Sequence, residues 1–217
     1  MMIGIDDEKF LRGKVPMTKR EIRILTLVNA QIGAEDLIVD VGAGTGSISI
    51  EAAKLAVGGH VYAIEKESDA IALIRQNAEK FNVKNLTIIE ATAPEGFENI
   101  PPLDVAIIGG NGGWLMDILN AVDEKLKIGG RIVLNFITVQ SLANCLGWLK
   151  AHSNYRYDAI QVQINRLHNV GFKDMSKALN PVHIVTAKKI QSAQAAKVIS
   201  LAEMKSRIVS KGGLNRA

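Results

Sequence analysis

Three glycines in five residues, Gly42-Ala43-Gly44-Thr45-Gly46, separate the apolar run Ile38-Val39-Asp40-Val41 from a helical pattern that begins at Ser47. Without Cβ atoms such a loop turns sharply, and it opens main-chain N–H groups at a helix start to a ligand. That chemistry suits a nucleotide-type cofactor. The next apolar run, Val61-Tyr62-Ala63-Ile64, ends in Glu65. A nucleotide-binding βαβ unit sets an acidic residue at about this separation, at the tip of its second strand. A carboxylate there accepts hydrogen bonds from both ribose hydroxyls; standing alone, it reads equally as a solvated loop charge. Glycine run and carboxylate support each other.

The glycine spacing narrows the ligand. A dinucleotide site wants G-x-G-x-x-G, with room for a pyrophosphate on the helix N-terminus. The compressed G-x-G-x-G with Asp40 two residues ahead resembles motif I of class I S-adenosylmethionine (SAM) methyltransferases, and SAM has no pyrophosphate to seat. Ala91-Thr92-Ala93 follows a third apolar run. Many methyltransferases place an aspartate where Thr92 stands, to accept from the adenine amino group; here the Thr92 hydroxyl or the backbone of Thr92 and Ala93 takes that part. A second glycine loop, Gly109-Gly110-Asn111-Gly112-Gly113, follows a fourth run. It lacks the Asn-Pro-Pro-aromatic turn of many nucleic-acid amino methylases. Its glycines and Asn111 read as a bare backbone wall, with N–H groups open to an acidic substrate, or as a flexible turn.

The elements that must position these loops are legible as short apolar runs alternating with helical periodicity. Strands are expected near 37–41, 60–65, 86–90, 104–109 and 130–136, and helices near 47–57, 68–82, 114–126 and 139–151. Two further strand-like runs, 157–163 and 182–187, complete a Rossmann-like, doubly wound α/β fold: seven strands, mainly parallel, with an antiparallel C-terminal strand. The alternation Tyr157, Ala159, Gln161 predicts one less buried face, and Pro181 belongs at the start of the last strand. In such a sheet ligands lie beyond the carboxyl ends of the strands, which gathers the loops after Val41, Ile64, Glu90 and Ile108.

With 217 residues and 47% apolar content, one catalytic domain over 1–188 is expected, followed by a basic extension over 189–217. Seven of the 26 basic residues but one of the 22 acidic ones lie from Lys188 onward, so the expected domain is slightly acidic. That balance argues against a nucleic-acid partner, as does an aromatic content of 5%. In the extension, Ile190, Val198, Leu201, Met204 and Ile208 allow an amphipathic helix. No apolar run is long enough for a membrane span and no signal pattern opens the chain, so a cytoplasmic protein is expected. Cys145 is the only cysteine and reads as a small core residue, while four scattered histidines lack ligand spacing. No protein-bound metal is expected.

Taken in order, Asp6-Asp7-Glu8, Phe10, the stretch from Val15 to Arg23, the Asp40 to Gly46 loop, Tyr62 to Glu65, Ala93-Pro94-Glu95, the Gly109 to Gly113 loop and Asn180-Pro181-Val182 resemble the decarboxylating cobalt-precorrin C15-methyltransferases of cobalamin biosynthesis, also known as precorrin-8w decarboxylases. The resemblance spans residues 5 to about 188 and leaves the extension uncovered. It implies methyl transfer from SAM to C15 of cobalt-precorrin-6B or precorrin-6B, with loss of carbon dioxide from the ring C acetate. By position it implies SAM contacts from Thr18, Gly42, Ala43, Gly44, Thr45, Gly46, Glu65 and Ala93, joined by Thr92. It further implies a homotetramer and a corrin C5-methyltransferase as a possible partner. Thr18 with Glu21 also reads as a capping box ahead of Ile22 and Leu25.

The tetrapyrrole supplies both nucleophile and electron sink, so no catalytic residue is assigned. Lys19, Arg23, Asn111 and Arg166 are candidates to meet its carboxylates, with backbone from Gly110, Gly112 and Gly113. Two other readings stand: a SAM methyltransferase acting on RNA or another small molecule, and a non-catalytic SAM-fold binding protein. An intact cofactor loop speaks against the second.

Overall fold

The computed structural model describes residues 3–191. Five strands form a parallel array: β1 (Leu37–Val41), β2 (His60–Glu65), β3 (Leu86–Glu90), β4 (Leu103–Ile108) and β5 (Leu126–Phe136). β6 (Tyr155–Val162) and β9 (Val182–Lys189) complete a seven-stranded sheet of order β3-β2-β1-β4-β5-β9-β6, in which β9 runs antiparallel to both neighbours. β1, β4 and β5 read as near-continuous apolar runs because both sheet faces are covered. On one face Ile38, Val105, Ile107 and Val133 pack with α1 (Arg20–Ala30) and α2 (Ser47–Leu55). On the other, Val39, Val41, Ile108 and Leu134 pack with α4 (Leu115–Lys125) and α5 (Val139–Ala151). α3 (Ser68–Lys80) lies against β3 and α2. The strand order reverses between β1 and β4, so their carboxyl ends open a crevice.

Four expectations need correction. The segment between the last two expected strands is a hairpin, β7 (Asn165–Val170) with β8 (Lys173–Ala178), turning at Gly171 and Phe172. Every residue of both strands is exposed, so no apolar face betrays it in the sequence. β6 has no less buried face to distinguish: residues 156–161 are exposed on both, because the strand is the sheet edge and no helix among the described residues covers it. The Thr18–Glu21 capping box does not form; Lys19 is the N-cap, and no side chain caps the helix. β5 also starts ahead of its expected position, with an irregular register where Leu126 pairs with Leu103 and Arg131 with Val105. The expected helix in the extension lies outside the described residues.

Candidate functional site

At the switch point Gly42 and Gly44 make a close approach that side chains would block. Gly42 has φ +70°, and a Cβ there would lie 2.7 Å from the backbone of Gly110, so the two glycine loops pack main chain to main chain. Gly44 has φ +57°, and its Cβ would meet the Pro16 carbonyl oxygen at 3.2 Å. Glu65 fastens the turn from below. Its Oε2 accepts from Gly44 N at 2.8 Å, and its Oε1 accepts from Lys66 N and Glu67 N at 2.9 and 3.1 Å. A carboxylate offers about four acceptor positions, so one on Oε2 remains for a ligand hydroxyl.

Two more polar groups line this wall. Asp40, 1% exposed, receives the Ser49 hydroxyl at 2.5 Å, and burial pushes its pKa up to about 6. The Glu65 charge adds to that shift and the Ser49 bond opposes it. Thr45 is equally buried, and its Oγ1 has no partner among the described residues. A buried hydroxyl without a partner is costly, and a bound polar group would satisfy it.

The segment before α1 covers the loop. Lys14, Val15, Pro16, Met17, Thr18 and Lys19 line a cleft of about 840 Å³ together with Gly42 to Thr45, Glu65, Ala91 to Ala93 and Gly109 to Gly112. Asn77, wholly buried on α3, ties this cover to the loop. Its Nδ2 donates to the carbonyls of Leu11 (2.7 Å) and Thr45 (3.0 Å), and its Oδ1 accepts from Leu11 N at 2.8 Å. Sequence reasoning passed over Asn77, because an asparagine inside a helical pattern reads as surface.

Some expected site residues lie elsewhere. Arg23 is wholly buried, and four of its five N–H groups are engaged: Nε donates to Glu51 at 2.5 Å, Nη1 to Thr18 O and Asp7, and Nη2 to Ile5 O. It anchors the N-terminal segment and does not line the cleft. Arg166 stands on the hairpin and grips both Glu21 oxygens at 2.7 Å, tying that hairpin to α1. Gly46 packs against Ile74 behind the loop, and Gly113 donates its N–H to Asn111 Oδ1, so neither lines the cleft. Lys19, Gly110, Asn111, Gly112, Thr92 and Ala93 do.

The cleft also continues beyond the residues expected to bind, with only the Asn180-Pro181-Val182 motif of the sequence reaching this end. Asn135 and Ile137 at the end of β5, Ile164 and Leu179 at the hairpin base, and Asn180 and Val182 before and within β9 form a second, mostly apolar end. The rule that ligands gather at strand carboxyl ends covers β5. It could not announce the hairpin. Cys145 is a core residue whose thiol is pushed up to about 12 by burial. Among the described residues no three His, Cys, Asp or Glu side chains cluster for a metal, and no helix is long and apolar enough to cross a membrane.

The strand order, the glycine loop after β1 and the carboxylate ending β2 together define a class I SAM-dependent methyltransferase fold. Within that class, residues 9–189 match the precorrin methyltransferase domain, and the chain belongs to this family. A relative from Sulfurisphaera tokodaii, described as a probable cobalt-precorrin-6B C15-methyltransferase (decarboxylating), is 41% identical over 192 residues, covering 86% of this chain and 97% of its own. The crystal structure of precorrin-6Y C5,15-methyltransferase from Geobacter metallireducens superposes with a TM-score of 0.81 at 38% identity, covering 86% of this chain and 97% of that one. Precorrin-8w decarboxylase from Methanobacterium thermoautotrophicum gives a TM-score of 0.79 at 32% identity, with 84% and 98% covered.

Proposed function

We propose that this chain methylates C15 of cobalt-precorrin-6B from SAM and removes carbon dioxide from the ring C acetate, a step of cobalamin biosynthesis. The observation that carries this reading is the cleft itself: a complete glycine loop pinned by Glu65 in a chain of the precorrin methyltransferase family. The residues present fit SAM. Glu65 has an acceptor position for a ribose hydroxyl, Thr45 Oγ1 has an unmet hydrogen-bonding need, and the bare backbone of Gly42 and Gly44 lets a ligand approach. When bound, SAM supplies an electrophilic methyl group.

The chain's own part is positioning. Asp40 lends negative charge to the wall beneath a cationic ligand, and the cover from Lys14 to Thr18 shuts water from one side. Lys19, with Asn111 and the backbone of Gly110 and Gly112, faces the same space and suits a substrate rich in carboxylates. Holding an electron-rich meso carbon at near-attack distance accounts for catalysis without a protein nucleophile. A homotetramer working in the cytoplasm, with a corrin C5-methyltransferase as partner, completes the proposal.

Mass spectrometry after incubation with SAM and cobalt-precorrin-6B tests it. One methyl gained and one carbon dioxide lost is the expected product, and an unchanged substrate from protein that binds SAM removes the assignment. Titration calorimetry should show Glu65→Ala and Gly44→Val weakening SAM at least about tenfold, as the loss of charged hydrogen bonds and of loop geometry implies. Unaltered affinity in folded variants dissolves the site.

A further inference from the structure

Resting on that reading, we propose that Asn135 binds the ring C acetate and orients it for loss of carbon dioxide, with Thr26 as its positioning residue. Asn135 stands next to last in β5, opposite Ile184 of β9 and two strands away from β1 and its glycine loop. It therefore belongs to the acceptor end of the cleft. Thr26, wholly buried on α1, lies beside it. The Thr26 hydroxyl is 2.8 Å from the Ile22 carbonyl oxygen, 3.0 Å from Asn135 Nδ2 and 3.2 Å from Asn135 Oδ1. A hydroxyl has one proton, and the shortest contact takes it to Ile22. Its lone pair then accepts one N–H of Asn135, which fixes the amide with Nδ2 toward Thr26. The second N–H has no partner among the described residues and is available at the cleft wall.

Its surroundings set what that N–H can do. Ile137, Ile164, Leu179 and Val182 wall this end, with the neutral side chain of Asn180 as its other polar group. The lysines lining the cleft come from the segment before α1 and the loop after β2, and Lys19 Nζ is 3.9 Å from an Asp7 oxygen. A carboxylate held here by a neutral amide stays ionised and poorly solvated, whereas a cation would hold the charge on its oxygens. The bond between the acetate methylene and its carboxyl breaks, and its electron pair enters the conjugated macrocycle. Carbon dioxide leaves. The methylene carbon takes a proton from water, balanced by the proton that C15 releases once methylated. One fixed donor aligns the breaking bond with the π system.

Product masses from the wild type, Asn135→Ala and Thr26→Val, incubated with SAM and cobalt-precorrin-6B, test this alongside SAM titrations by calorimetry. In Asn135→Ala, SAM affinity should hold within about twofold and methylation within about threefold, while decarboxylation slows at least about tenfold, as loss of one oriented hydrogen bond implies. Product carrying the new methyl and an intact carboxyl then accumulates. Thr26→Val gives a smaller split in the same direction, which loosened packing alone would not produce. Asn135→Asp keeps the shape, repels a carboxylate and should show the larger split. Methylation and decarboxylation falling together, or neither changing, overturns the role of Asn135 while the wild type's coupled product leaves the proposed function standing. Wild-type protein that binds SAM and leaves the tetrapyrrole unchanged overturns both.

Discussion

Asp40 shows how a residue serves a site at a cost to the fold. Its carboxyl is buried, with the Ser49 hydroxyl as donor and the Glu65 charge close enough to oppose ionisation. With the pKa raised from 3.8 to about 6, the native state binds more protons than the unfolded chain between those values. Stability from this group therefore falls as pH rises through that window and levels off above it. Asp40→Asn keeps an acceptor for Ser49 and abolishes the titration. Urea unfolding should show the variant gaining about 2 kcal/mol relative to wild type between about pH 4.5 and about pH 7.5. Parallel pH profiles for the two proteins contradict the raised pKa. A positively charged ligand reverses the argument, since it favours the ionised form that burial opposes.

At the scale of elements, the cover works because it is tied at both ends. Arg23 and Glu51 hold residues 4 and 5, and Asn77 holds Leu11 and, with its other N–H, the Thr45 carbonyl. Asn77→Leu keeps the volume, removes three hydrogen bonds and leaves buried backbone groups unpaired, so about 2–4 kcal/mol of stability should go. SAM affinity should fall about tenfold, with amide exchange accelerated in residues 9–18 and unchanged in β4. Uniform acceleration through the fold would show a global loss instead. The contrast between Asn77 and Arg23 explains what was legible. Glu65 and the glycine loop announced themselves because their chemistry follows local spacing on adjacent elements. Arg23 looked like a cation for the substrate, since a sequence does not reveal that Glu51, Asp7 and two carbonyls converge on it. The parallel strands were legible from apolar runs with both faces buried. The hairpin was not, because its residues are exposed and alternate without a buried face, and with it went Ile164 and Leu179 of the cleft.

At the scale of the whole molecule, the unburied side of β6 and the hairpin has the makings of an interface. Tyr157 and Ile160 on the edge strand, and Leu167, Val170, Phe172 and Met175 on the hairpin, are left exposed by the other described residues. An unprotected edge strand with nearby apolar side chains is a template for further pairing. Self-association through this face is consistent with the proposed homotetramer, and it would not require the cofactor loops, which lie at the opposite part of the sheet order. Leu167→Asp with Phe172→Asp should reduce the mass seen in sedimentation velocity while SAM affinity stays within about twofold, because a desolvated carboxylate at an apolar contact costs several kcal/mol. The apolar end of the cleft provides a second reading of the same experiment. Ile164 and Leu179 form the hairpin base, held by the Leu179 N–H to Ile164 carbonyl bond of 2.9 Å. If assembly steadies that base, the dissociated variant should bind SAM normally yet need more tetrapyrrole for half-maximal rate. An unchanged assembly in the double variant would move the interface to another face, and normal substrate saturation in a dissociated one would show that each chain's cleft is complete by itself.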